Sequence, residues 1–149
     1  MRALSALLLL GVVTVTGAKV ASPRQGPWTS DEALAPADLA ATVRAGTSQP
    51  TIVYVGYQAL FRAGHIPGAT FHGPASQAAG LTDLKEWAAQ LAKDRPVVLY
   101  CGCCPLDDCP NVAPAYEALK QLGLTKVQVL VVPVSFAVDW VDKGYPIER

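Results

Sequence analysis

The chain has 149 residues, 51% of them apolar and 16% charged, with 12 basic and 12 acidic side chains. That length and apolar content suit one domain around one core, and exclude a disordered tail or a coiled coil. Zero net charge and the lack of any basic cluster exclude a nucleic-acid-binding surface.

The chain opens with Arg2 and the apolar run Ala3 to Val15, interrupted only by Ser5 and Thr14. The run is shorter than the roughly 20 residues a bilayer-spanning helix needs. Thr16-Gly17-Ala18 offers the small residues that a signal peptidase reads. Residues 1–18 are therefore expected to be a cleaved secretory signal, with an uncleaved anchor as the alternative. Residues 19–28 are expected to be a linker and 29–149 the folded domain. The expected location is the periplasm or the cell exterior, with no stable membrane span after cleavage. In such a compartment disulfides form and persist, and all four cysteines lie at position 101 or later.

Within the domain, Ser30-Asp31-Glu32 and Pro36-Ala37-Asp38 both read as helix starts. Leu39 and Val43, four apart, place a short helix on the core, and Gly46 stops it. Thr51 to Gly56 is a β-branched run that predicts a buried strand. A short helix over Gln58–Ala63, a turn over Gly64–Gly68 and a short strand over Ala69–His72 follow. Leu81 to Lys93 predicts an amphipathic helix with Leu84, Trp87, Ala88 and Leu91 on one face. Pro96 to Cys101 is a continuous apolar strand. Asn111 is the expected N-cap of a helix that carries Ala115, Leu119 and Leu122 and closes at Gly123. Lys126 to Val132 predicts a last strand, and Ser135 to Lys143 a last helix. Apolar strands alternating with helices imply an α/β domain with a mostly parallel central sheet and helices on both faces. Function in such folds gathers at the C-terminal ends of strands, where Cys101 stands.

Several ordered motifs resemble the rhodanese-like family. Gly64-His65-Ile66-Pro67-Gly68-Ala69 is similar to that family's upstream signature. Val97 to Cys101 looks like the strand that ends in its active-site cysteine. Ala115 to Gly123, Lys126 to Leu130, Trp140 and Gly144-Tyr145-Pro146 resemble the helix, strand and closing motif that follow. The match runs over roughly residues 29–148. The resemblance implies a rhodanese-like fold and a sulfurtransferase in which Cys101 is the catalytic nucleophile. It would hold sulfur as a persulfide and pass it to a thiophilic acceptor. The implied partners are a small sulfur donor and a thiol acceptor, or a redox partner protein.

The loop after Cys101 departs from the family pattern. Gly102, Cys103, Cys104, Pro105, Leu106, Asp107, Asp108, Cys109, Pro110 and Asn111 form a longer active loop with three further cysteines. No Lys or Arg occurs between Arg95 and Lys120, and Gly56-Tyr57-Gln58 replaces the acidic and basic pair usual after the first strand. Asp107 and Asp108 are expected to oppose thiolate formation and to repel a dianionic donor. Thiosulfate is therefore not the expected preferred donor, nor a phosphate ester the expected substrate, unless a cation such as Arg62 or Lys143 arrives from elsewhere. Two other chemistries stay open on the residues. Cys103, Cys104 or Cys109 can resolve Cys101 as a thiol–disulfide redox pair, with Cys104–Cys109 and Cys101–Cys104 favoured over the strained neighbours Cys103–Cys104. Cys104–Cys109 can also be a purely structural disulfide pinning the loop. Alternatively, the loop is a non-catalytic module that binds a partner or a metal. No cofactor is expected, but four thiols within nine residues are a set that Zn²⁺ or Cu(I) selects. His65 is expected to satisfy backbone groups in its turn, and Trp87 and Trp140 to pack in the core. His72 ends a strand from which it can reach the loop.

Overall fold

The computed structural model describes residues 26–149. The expected signal and residues 19–25 of the expected linker lie outside the described residues. No helix among the described residues is long and apolar enough to cross a membrane.

Five strands form one all-parallel sheet: β1 (Ala33–Leu34), β2 (Thr51–Tyr54), β3 (Thr70–Phe71), β4 (Val97–Tyr100) and β5 (Val127–Leu130), in the spatial order β1-β5-β4-β2-β3. The central strand β4 is buried at every position, as its unbroken apolar run requires when both faces are covered. Its register against β2 sets Tyr54 beside Tyr100, so the ends of both strands reach the same edge of the sheet.

Helices cover both faces. On one, α3 (Ala78–Ala88) and α4 (Val112–Gln121) bury Leu84, Ala115 and Leu119 against Val53, Leu99 and Val129. On the other, α1 (Pro36–Ala45) buries Leu39 and Val43 against Ile52, Val98 and Leu130, and Trp140 joins them. Each fully buried leucine contributes about 1.5–3 kcal/mol of hydrophobic stabilisation. The first helix begins at Pro36, whose missing N–H costs nothing there, and stops at Gly46, whose φ of 68° suits a residue without Cβ. A short helix, α2 (Gln58–Ala63), links β2 to the turn before β3.

Three local expectations are corrected. Ser30–Glu32 is a single 3-10 turn, not the start of a longer helix, and the two-residue strand β1 follows it. The helix expected over Leu81–Lys93 begins three residues earlier, at Ala78, and ends at Ala88. Beyond Ala88 the chain tightens: Gln90 and Leu91 donate to the carbonyls three residues back, of Trp87 and Ala88. Leu91 still packs against the core. The last expected helix is a π-helical turn, Ala137–Val141.

Candidate active site

Cys101 continues β4 at its C-terminal end and is 2% exposed. Gly102 then turns the chain with φ 82°, a conformation that a residue with Cβ adopts only under strain. A Cβ on Gly102 would stand 2.5 Å from the Cβ of Phe136, and the Gly102 carbonyl accepts the Phe136 N–H at 3.2 Å. Glycine therefore lets the chain after β5 close over the cysteine loop. The loop itself is pinned: Leu106 donates its N–H to the Val132 carbonyl at 2.8 Å, and a 3-10 turn over Leu106–Asp108 follows Pro105. Asp107, Asp108 and Pro110 are exposed, whereas Cys103, Cys104 and Pro105 are half-buried.

This path brings all four cysteines together as free thiols. Cys103 Sγ lies 3.1 Å from both Cys101 Sγ and Cys104 Sγ. The sulfurs of Cys101, Cys103 and Cys109 all lie within 4.8 Å of one another. That spread can close on one soft cation, since metal–thiolate bonds run to about 2.3 Å. The nearest partner of Cys101 is thus Cys103, a pairing that spacing alone did not favour.

Asn111 stands where the helix N-cap was expected, but its side chain does not cap. It is fully buried, accepts the Ser76 N–H at 3.0 Å and points its amide nitrogen at Cys101 Sγ, 3.5 Å away. The backbone N–H groups of Asn111 and Val112, at the head of α4, reach Cys109 instead. The side-chain interaction with Cys101, together with these N–H groups, outweighs burial and brings the Cys109 thiol down to about 6. The same interaction, joined by burial, holds the Cys101 thiol far above the ordinary range. Burial, then a bond with Cys103, pushes Cys104 up to about 12. Of these thiols Cys109 gives up its proton most readily, while Cys101, which donates to Cys103 at 3.1 Å, holds its own more tightly. The helix end thus acts on Cys109. Asp107 and Asp108, expected to oppose a thiolate in this loop, stand exposed to solvent.

Cys101 separates a packed side from an open one. Cys104, Leu106, Cys109 and Val112 close the first. On the second is a cavity of about 310 Å³, with Cys101 and Gly102 in its lining beside Tyr54, Leu60, Ala63, Gly64, Ser135, Phe136, Ala137, Val141, Ile147 and Arg149. The one cation among these is Arg149; neither Arg62 nor Lys143 lines the cavity. Gly56 leaves space above Cys101, because a Cβ there would stand 2.6 Å from its Sγ.

His65 behaves as its turn demanded: its ring nitrogen contacts the Phe61 carbonyl at 2.9 Å, and its backbone pairs with Glu148. His72 meets Asp83 at 2.8 Å, stacks on Trp87 and is absent from the cavity lining. Trp140 is buried and donates its indole N–H to the Pro146 carbonyl. Trp87 is half-buried against the core. Sequence reasoning missed Tyr54, Leu60, Phe136 and Arg149 as neighbours of Cys101. The one available signal was Gly56, in place of a charged pair.

The rhodanese-like domain family model matches residues 35–131. No curated protein matches the chain. Among solved structures, the Alr3790 protein from Anabaena sp. is 21% identical with a TM-score of 0.60, over 77% of this chain and 81% of that one. The RPA3614 protein from Rhodopseudomonas palustris, described as a protein of unknown function and possible tyrosine phosphatase, is 26% identical with a TM-score of 0.57, over 78% and 84%. A rhodanese-related protein from Thermoplasma volcanium is 23% identical with a TM-score of 0.54, over 78% and 97%. With its parallel sheet, its strand ending in Cys101 and a family match over most of its folded length, this chain belongs to the rhodanese-like domain family.

Proposed function

We propose that this protein is a sulfurtransferase that carries sulfane sulfur as a persulfide on Cys101 and hands it to a thiophilic acceptor. The observation that carries this reading is a thiol at the C-terminal end of β4 that lines a cavity and stands in a cluster with three further free thiols. As Cys101 Sγ attacks, Cys109 takes the proton, so the nucleophile is generated only when it is used. A phosphate ester is a poor candidate, because the loop has no cation to hold a dianion. The reading takes the protein as exported, with residues 1–18 a cleaved signal and 29–149 the working domain.

The 3.1 Å approach of Cys103 to Cys101 supports a second reading, thiol–disulfide exchange. Attack of the Cys103 thiol on the inner sulfur of a Cys101 persulfide forms a Cys101–Cys103 disulfide and releases hydrogen sulfide. An external dithiol then returns both cysteines to thiols. Turnover with a sulfane-sulfur donor and either a monothiol acceptor or a dithiol separates the two readings. Sulfur transfer to the monothiol, undiminished in Cys103→Ser, supports the first. Sulfide release that needs a dithiol and disappears in Cys103→Ser supports the second.

A further inference from the structure

The cavity over Cys101 carries a buried hydroxyl that the fold does not use. Tyr54 is 3% exposed, and no hydrogen-bond partner reaches its hydroxyl among the described residues. Leaving a buried hydroxyl unpaired is a net cost, and such a group calls for a reason. Packing supplies none, because the ring alone makes the contacts with Phe61, Phe71 and Tyr100. Neighbouring Tyr100 differs: its hydroxyl accepts the Ile66 N–H at 3.0 Å. The Tyr54 hydroxyl and Cys101 Sγ lie 2.7 Å and 2.6 Å from the point where a Cβ on Gly56 would stand. Both groups therefore border one small space that Gly56 keeps open. Burial holds the Tyr54 proton in place well beyond the ordinary tyrosine range, so the group is a donor.

Apart from Ser135 and the exposed Arg149, the rest of the cavity is largely apolar. Leu60, Phe136, Val141 and Ile147 line it, and Leu60 and Val141 remain 46% and 37% exposed at its mouth. A dianion entering here would lose hydration against hydrocarbon, with only the exposed, solvent-screened Arg149 to offset the loss. An apolar body would instead bury its surface.

We propose that this cavity takes an apolar organic hydropersulfide, whose departing sulfur accepts a hydrogen bond from the Tyr54 hydroxyl while Cys101 takes its outer sulfur. The inference rests on the persulfide reading of Cys101. In the step, Cys101 Sγ bonds to the outer sulfur of R–S–SH and its proton passes to the Cys109 thiolate. The S–S bond of the donor breaks, and its electron pair leaves on R–S⁻, held by the Tyr54 hydroxyl. The products are the Cys101 persulfide, the Cys109 thiol and the free thiolate, with no net oxidation or reduction. Tyr54 keeps its proton throughout and acts by stabilising the leaving charge.

The test measures the rate at which the full chain gains one sulfur atom on Cys101, from benzyl hydropersulfide or from thiosulfate, by peptide mass. Benzyl hydropersulfide is expected to load the protein about tenfold or more faster than thiosulfate. Tyr54→Phe is expected to load about tenfold or more slowly from the benzyl donor, and yet to melt at a higher temperature, because the unpaired hydroxyl is gone. A merely structural tyrosine would lower the melting temperature instead. Leu60→Lys is expected to shift preference toward thiosulfate. Equal or faster loading from thiosulfate in the unaltered protein, or a Tyr54→Phe rate matching it, would overturn the inference and leave the persulfide reading standing. No sulfur on Cys101 from either donor would overturn both.

Discussion

At the scale of single residues, the site divides its labour between two thiols. Cys101 lines the cavity, while the interaction with Cys101 and then the N–H groups of Asn111 and Val112 lower the Cys109 thiol. Sulfur loading should therefore depend on the Cys109 thiolate. Below about 6 that thiol is protonated and cannot accept the Cys101 proton; above about 6 it can. Loading rates measured across pH should rise through that value and then level off. In Cys109→Ser the rise should vanish and the plateau fall by about a hundredfold, the scale of a lost general base. An unchanged profile would mean that Cys101 ionises without help. Cys101 was legible in the sequence because an apolar strand points to it. Cys109's part was not, because four cysteines in nine residues look alike until the backbone amides are placed.

Among the elements, the cysteine loop is the least regular and the most constrained. Gly102 combines φ 82° with a close approach to Phe136. Gly102→Ala should cost about 1–3 kcal/mol in denaturant unfolding, and should slow sulfur loading further by moving Cys101. Normal loading with normal stability would mean that the loop tolerates a different turn. The long apolar runs made β2, β4 and β5 easy to read, and Pro36 and Gly46 bounded α1. Strand β1 was hidden, since two residues carry no periodicity and pair with a strand about a hundred residues later. The start of α3 was misplaced because Ala78, Ala79 and Gly80 are weak markers. The same limit hid Phe136, which reaches the site through a turn with no motif of its own.

For the molecule as a whole, the N-terminal segment is tied to α4 in one helical layer. Glu32 accepts hydrogen bonds from the Thr29 N–H, from the Tyr116 hydroxyl at 2.7 Å and from Lys120 at 3.1 Å. The Thr29 backbone bond is the largest cause, followed by Tyr116, and together they bring its carboxyl down to about 2. Its stabilising effect is full above the ordinary carboxylate value of 4.5 and fades as pH falls toward about 2. Glu32→Gln should lower stability by about 1 kcal/mol at neutral pH and flatten the loss between those values. Equal acid sensitivity in both proteins would place that loss elsewhere. The fold class and the family were legible from the order of apolar strands and from the motifs around Gly64–Ala69 and Cys101. The reaction was less so, because it depends on which thiol faces the cavity. The most direct measurement is peptide mapping of the reduced protein after exposure to a sulfane-sulfur donor, beside Cys101→Ser treated alike. The account predicts one added sulfur atom on Cys101 and none anywhere in the variant. Sulfur on Cys103, Cys104 or Cys109 in the variant, at the rate of the unaltered protein, would contradict it.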